Sequence, residues 1–180
     1  MDEAQKENQL KDAMRIAIDT HRDQFRDPPD SRPYLCHVLD VMNMMPTHDH
    51  LARLVAILHD TIEDAAKKGA PDEDVKTKRE NVRQRIKDAK FDDAVLLAVE
   101  AISHIKKHGL PSLGKTEEYL LYVNESVLPN RLAMQVKIAD NYVNMKDLIA
   151  AGASDDEALG RLHKYASSIA LLTAPKKPTK

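Results

Sequence analysis

The segment Leu58-His59-Asp60-Thr61-Ile62-Glu63-Asp64 sets an imidazole beside a carboxylate, and His37 upstream and Asp140 downstream lie in similarly patterned helical stretches. Neighbours on a helix point about 100° apart and can grip one ion between them, while positions four apart stack. On that geometry Glu63 lies over His59 and Asp64 over Asp60. His37, His59, Asp60 and Asp140 together offer two nitrogen and two oxygen donors, a mixed set that suits Mn²⁺, Fe²⁺, Co²⁺ or Zn²⁺ better than Mg²⁺ or Ca²⁺. A His-Asp dipeptide by itself is commonly a surface or capping pair, so the weight rests on its company. Asp140 follows Val136-Lys137-Ile138-Ala139, a turn that holds a carboxylate against the core, where an unpaired charge is costly. A metal so held polarises water and takes charge from a phosphoryl oxygen. Glu63 and Asp64, one turn beyond the donors, are the candidate water activators, or else a solvated acidic helix end.

These residues need helices to position them, and the chain predicts helices almost throughout. Leu10, Ala13, Ile16 and Ala17 mark a first helix from about 7 to 25, stopped by Asp27-Pro28-Pro29-Asp30. A second begins near Tyr34 and ends before Pro46. Asp49 is a plausible N-cap for a third, whose buried stripe is Leu51, Leu54, Val55, Leu58 and Ile62 and which carries His59. The charged stretch Ala65 to Lys90 reads as a solvated hairpin. Helices then follow from about Phe91 to His104 and from Thr116, the latter after a glycine and proline loop. The longest late helix runs from near Pro129 to Ala150, ended by Gly152. Ser154 and Glu157 have the spacing of a capping box that opens a last helix to about Thr173. The expectation is an all-α bundle in one domain, residues 1–174, with a frayed tail over 175–180.

Composition agrees. The 180 residues include only 5 glycines and 4% aromatics, and the 27 basic and 29 acidic side chains nearly cancel. No global field exists for nucleic acid or an anionic membrane, so any anionic substrate must be held locally. Arg26, Arg32, Lys106, Lys107 and Lys137 are the available cations, each otherwise a solvated surface side chain; Lys137 lies three residues before Asp140 and can reach the same pocket. Asn144, one turn after Asp140, is placed for a phosphate or ribose contact or is simple surface polarity, and Tyr34 either lines the pocket or is a core tyrosine. The single cysteine, Cys36, fits a reducing compartment. With no apolar run of the ~18 residues of a membrane span and a polar start, a cytoplasmic protein is the expectation.

The spacing of His37, His59-Asp60 and Asp140 resembles the HD-domain phosphohydrolase superfamily. The strings Pro33-Tyr34-x-x-His37, Leu58-His59-Asp60-x-x-Glu63-Asp64 and Val136-Lys137-Ile138-Ala139-Asp140-x-x-x-Asn144 are similar to the hydrolase domain of RelA/SpoT homologues, especially the small stand-alone alarmone hydrolases. The likeness spans about Ala17 to Tyr165. It implies an α-helical fold, one Mn²⁺ held by His37, His59, Asp60 and Asp140, and removal of the 3′-pyrophosphate of (p)ppGpp to give GDP or GTP. His21, Gln24 and Arg26 fall in register with the family's stretch before the first metal histidine, where basic residues help hold guanine; Asp27 stands in place of the second basic residue. The alternatives are another HD-domain nucleotide phosphohydrolase (a nucleotidase, an NADPH phosphatase or a dNTPase) or a protein that senses a nucleotide without turnover. Oligomeric state does not follow from the sequence.

Overall fold

The nine residues His50–Leu58 contain only two polar side chains, and Ala52, Leu54, Val55, Ala56, Ile57 and Leu58 are all buried. A helix apolar nearly all round must be enclosed. This one, α3, is enclosed by α1 (Glu3–His21), α2 (Tyr34–Asn43), α5 (Asp93–Ile102) and α7 (Arg131–Ala150). The other helices are α4 (Asp72–Asp88), α6 (Lys115–Tyr122) and α8 (Asp156–Thr173), and a π-helical turn, Val123–Val127, continues α6. The structure, a computed structural model, describes residues 1–26, 31–66, 71–104, 114–152 and 154–175; among them there is no strand, only an isolated bridge between Phe25 and Pro33. No helix among the described residues is long and apolar enough to cross a membrane.

Side chains placed to satisfy the first free N–H groups start most of these helices. Asp49, as expected, accepts from Ala52 N at 3.1 Å and opens α3. Asp92, Asn130 and Asp155 do the same for α5, α7 and α8. The first helix begins earlier than its apolar residues suggest, because Asp2 and Gln5 form a reciprocal capping box at 2.7 and 3.0 Å. It also ends earlier, at His21. Beyond it, Tyr34 N donates to Gln24 O at 2.9 Å and Arg26 N to Arg32 O at 2.8 Å, which draws residues 24–26 into pairing with the chain ahead of α2. The breaker Asp27 to Asp30 lies outside the described residues, as do Lys106, Lys107 and the tail from 176.

Two further expectations are corrected. The charged stretch is not a hairpin over its described part: residues 72 to 88 form the single helix α4. Asp72, Glu73 and Asp74 in its first turn and Arg85 and Lys87 in its last complement the helix dipole, and Val82 and Ile86, four apart, bury one narrow stripe. The last helix is capped by Asp155, whose Oδ1 accepts from Ala158 N at 2.7 Å, and not by Ser154. Gly152 does end α7, at φ +66°, a left-handed conformation that costs glycine little.

The inward side of α7 is the one that matters for chemistry. It mixes Ala133, Val136, Ala139 and Val143 with buried Lys137, Asp140 and Asn141. Asn141 is satisfied structurally: Tyr119 Oη donates to its Oδ1 at 2.9 Å, and its Nδ2 donates to Ser168 Oγ at 2.8 Å, tying α6, α7 and α8 together. Lys137 and Asp140 point at the residues that close α3.

Candidate metal centre and its pocket

The third helix stops at Leu58, so His59 is its C-cap and residues 59–64 wind on as turns, which corrects the expectation of one continuous helix. The winding still serves. Thr61 N donates to Leu58 O at 3.0 Å and Asp64 N to Asp60 O at 2.9 Å, so His59, Asp60, Glu63 and Asp64 keep a near-helical arrangement without a regular ladder. His37 comes to the same place from α2 and Asp140 from α7.

One donor atom each from His37, His59 and Asp60 lie within 4.8 Å of one another. Asp140 Oδ1 stands 3.2 Å from His37 Nε2 and 3.8 Å from His59 Nε2, and Asp60 Oδ2 stands 2.8 Å from His59 Nε2. These are ion-pair separations, yet neither Nε2 has a hydrogen-bond partner of acceptable geometry although both are fully buried. Buried polar atoms are normally satisfied, so two such nitrogens facing carboxylates call for a partner. His59 is oriented for one: its Nδ1 lies 2.8 Å from Ala56 O, which can only accept, so that nitrogen carries the proton and the neutral ring keeps its lone pair on Nε2. The residues fit a divalent cation.

The electrostatics are those of a cluster with excess negative charge. Burial disfavours the His59 imidazolium, but Asp60 and Asp140 outweigh it and raise the pKa to about 9. Burial also pushes both carboxyls up; His59 more than reverses this for Asp60, and Lys137, followed by His37, does so for Asp140, leaving both below the usual carboxylate range. Lys137 Nζ pairs with Asp140 Oδ2 at 3.0 Å, and that carboxylate holds the buried ammonium well above its ordinary pKa despite the cost of burial. A metal ion would displace the His59 proton.

Around the cluster stands a set of groups that hold the donors still. Tyr34 Oη donates to Asp60 Oδ2 at 2.6 Å, and its ring stacks on His21 at 4.8 Å. Asn144 Nδ2 donates to Asp140 Oδ1 at 2.6 Å, and Asn144 Oδ1 in turn accepts from Arg26 at 2.9 Å. Arg26 also meets Asp147 at 3.2 Å, which further engages Arg32 at 3.4 Å. Tyr34, Lys137, Asn144 and Arg26 are thus all brought to the cluster or one contact behind it, each already engaged with a protein partner. Glu63 Oε2 accepts from His104 N at 2.8 Å, while Gln24 Nε2 donates to Asp64 O at 3.0 Å and fixes that turn. Burial raises the Glu63 pKa and Asp60 adds to it, against the opposing pull of Lys137 and of the His104 N–H.

A cavity of about 1130 Å³ opens over this floor and is lined by Asp60, Glu63, Asp64, Lys137, Asp140 and Asn144. The chain has five tyrosines and two phenylalanines, and Phe25, Tyr34, Tyr119 and Tyr165 all face this one cavity. Among the lining residues that escaped the sequence reading are Asp147, Tyr119 and His104. Asp147 had a signal, since it lies seven positions after Asp140 and three after Asn144 on the same face of α7. Tyr119, from α6, and His104, just past the end of α5 with its ring 4.5 Å from Tyr122, had none, because they reach the pocket only through tertiary packing.

No family model matches the chain, and neither does any curated protein. Among solved structures, one described as "a metazoan ortholog of SpoT" that "hydrolyzes ppGpp and plays a role in starvation responses" is similar over 94% of this chain and 88% of its own, with 22% identity and a TM-score of 0.60. The chain therefore has the all-helical fold of that protein.

Proposed function

We propose that this chain is a metal-dependent phosphohydrolase that removes the 3′-pyrophosphate of (p)ppGpp, releasing pyrophosphate and GDP or GTP. The observation that carries the proposal is the buried cluster of His37, His59, Asp60 and Asp140 at the floor of a nucleotide-sized cavity walled by tyrosines and cations. The shared fold supports it, since the similar structure is that of a protein described as hydrolysing ppGpp.

A divalent cation held by these four residues, Mn²⁺ in this reading, would lower the pKa of water and take charge from the scissile phosphoryl oxygens. The remaining work falls to the chain. Tyr34 and Asn144 fix the angles of Asp60 and Asp140 through short hydrogen bonds, as groups behind metal ligands commonly do. Lys137 offsets the charge of Asp140 inside the protein. Glu63, anchored at the end of α5 and with its pKa raised by burial, is suited to accept a proton, with Asp64 beside it. The turn that follows α3 brings these two carboxylates to the cavity without making them part of the donor cluster.

One observation favours a second reading with the same chemistry on another nucleotide. Arg26, in register with the position that helps hold guanine in the family, is committed to Asn144 and Asp147. Both readings meet one experiment: Mn²⁺-loaded protein is given ppGpp, its adenine analogue and NADPH, and products are separated. Pyrophosphate and GDP from ppGpp support the proposal. Untouched ppGpp with phosphate stripped from another nucleotide moves the assignment to the second reading.

A further inference from the structure

Three of the cations at the cavity wall are already spoken for. Lys137 pairs with Asp140, Arg26 with Asp147 and Asn144, and Arg22 with Asp19 at 2.9 Å. Lys164, from the middle of α8, differs. It lines the cavity and is half-buried, and among the described residues no carboxylate lies within ion-pair distance of its ammonium. Its ammonium instead rests on two aromatic faces, 4.8 Å from the centroid of Tyr119 and 4.6 Å from that of Tyr165.

Two tyrosine faces hold an ammonium in place without neutralising it, because a ring quadrupole attracts a cation but carries no net charge. A lysine stem is otherwise flexible, and fixing it in advance removes much of the ordering cost of binding. The ring of Tyr119 also places this cation relative to the cluster: Lys137, the partner of Asp140, lies 5.7 Å from the same ring. One lysine against Tyr119 is thus tied to the donor cluster, and the other faces the cavity with its charge unspent. Burial lowers the Lys164 pKa, as expected of an ammonium lacking an anion, so a bound anion would be welcomed.

We infer that Lys164, presented on Tyr119 and Tyr165, holds a non-scissile phosphate of the nucleotide whose scissile group lies over the His and Asp cluster; this rests on the phosphohydrolase reading above. The assignment gives α8 a part in substrate selection. It favours nucleotides carrying phosphate at two separated positions over those with one.

The test uses the full chain loaded with Mn²⁺, as wild type, Lys164→Met and Lys164→Arg. Methionine keeps an unbranched stem against the tyrosines and removes only the charge. Calorimetric titration with GDP, which has 5′-phosphates and no 3′ group, should show affinity about ten- to a hundredfold weaker in Lys164→Met, the scale of a lost charged hydrogen bond. Lys164→Arg should retain most of the affinity, and guanosine should bind wild type and Lys164→Met alike. In turnover of ppGpp, Lys164→Met should raise KM with kcat preserved. Equal GDP affinity in wild type and Lys164→Met overturns the inference, as do equal losses for GDP and guanosine, or no GDP binding to wild type. Lys164-dependent GDP binding in a protein that leaves ppGpp intact would sink the alarmone reading and leave this assignment standing.

Discussion

A carboxylate buried beside another carboxylate keeps its proton to higher pH than one in water, and Glu63 is in that position, near Asp60, with the backbone N–H of His104 pulling the other way. If it is the base, its active form is the carboxylate. Activity should then fall as pH is lowered through a pKa above the ordinary carboxylate range, and the acid limb of kcat/KM in Glu63→Gln should be lost. Glu63→Gln and Asp64→Asn should each lower kcat by about two to four powers of ten with metal content unchanged; elemental analysis alongside the kinetics separates this from loss of a ligand. Lys137 has a different task. Removing one member of a buried ion pair strands the other, so Lys137→Met should cost the metal-free protein about 3 kcal/mol, read as a melting temperature about 6–12 °C lower. Mn²⁺ should restore part of that loss, because a second cation beside Asp140 compensates the same charge. An unchanged melting temperature would show that Asn144 and His37 satisfy Asp140 without the lysine.

The helices owe their ends to single side chains more than to their apolar stripes. α8 is the clearest case, since Ser154 and Glu157 have the capping-box spacing while Asp155 makes the bond, at 2.7 Å to Ala158 N. Asp155→Ala should therefore cost about 1 kcal/mol, and Ser154→Ala close to nothing. Denaturant midpoints of the two variants decide it, and the reverse order would restore Ser154 as the cap. α3 shows the opposite relation between element and chemistry. Its regular ladder stops at Leu58, and the residues that carry chemistry lie in the near-helical turns beyond, held by the bonds from Thr61 N to Leu58 O and from Asp64 N to Asp60 O. α4 has no clear signature in the sequence, because a helix stabilised by charges matched to its dipole and by two buried residues leaves almost no apolar period.

Donors from α2, the end of α3 and α7 meet in one cluster, so a bound ion would clamp three elements that are far apart in the chain. Mn²⁺ at a hundred times its Kd should add about 2.7 kcal/mol of stability, or about 5–10 °C in melting temperature. A chelator should reverse the rise, and the His59→Ala, Asp60→Ala double variant should show none; the same rise in that variant would place the ion elsewhere. Much of this was legible in the chain alone. The all-helical class follows from composition, since five glycines and few aromatic residues favour helix everywhere, and the buried stripe of α3 and the end of α7 at Gly152 follow from local periodicity and backbone freedom. The types and spacing of His37, His59, Asp60 and Asp140 already marked them as one donor set. Packing alone decided their company. Arg26 turns to Asp147, Tyr34 to Asp60 and Glu63 to the backbone of His104, while Tyr119 comes under Lys164. Helical periodicity says which face a side chain occupies, but a hydrogen bond or ion pair needs a partner within about 3 Å. For residues tens of positions apart that partner is chosen by how the helices cross.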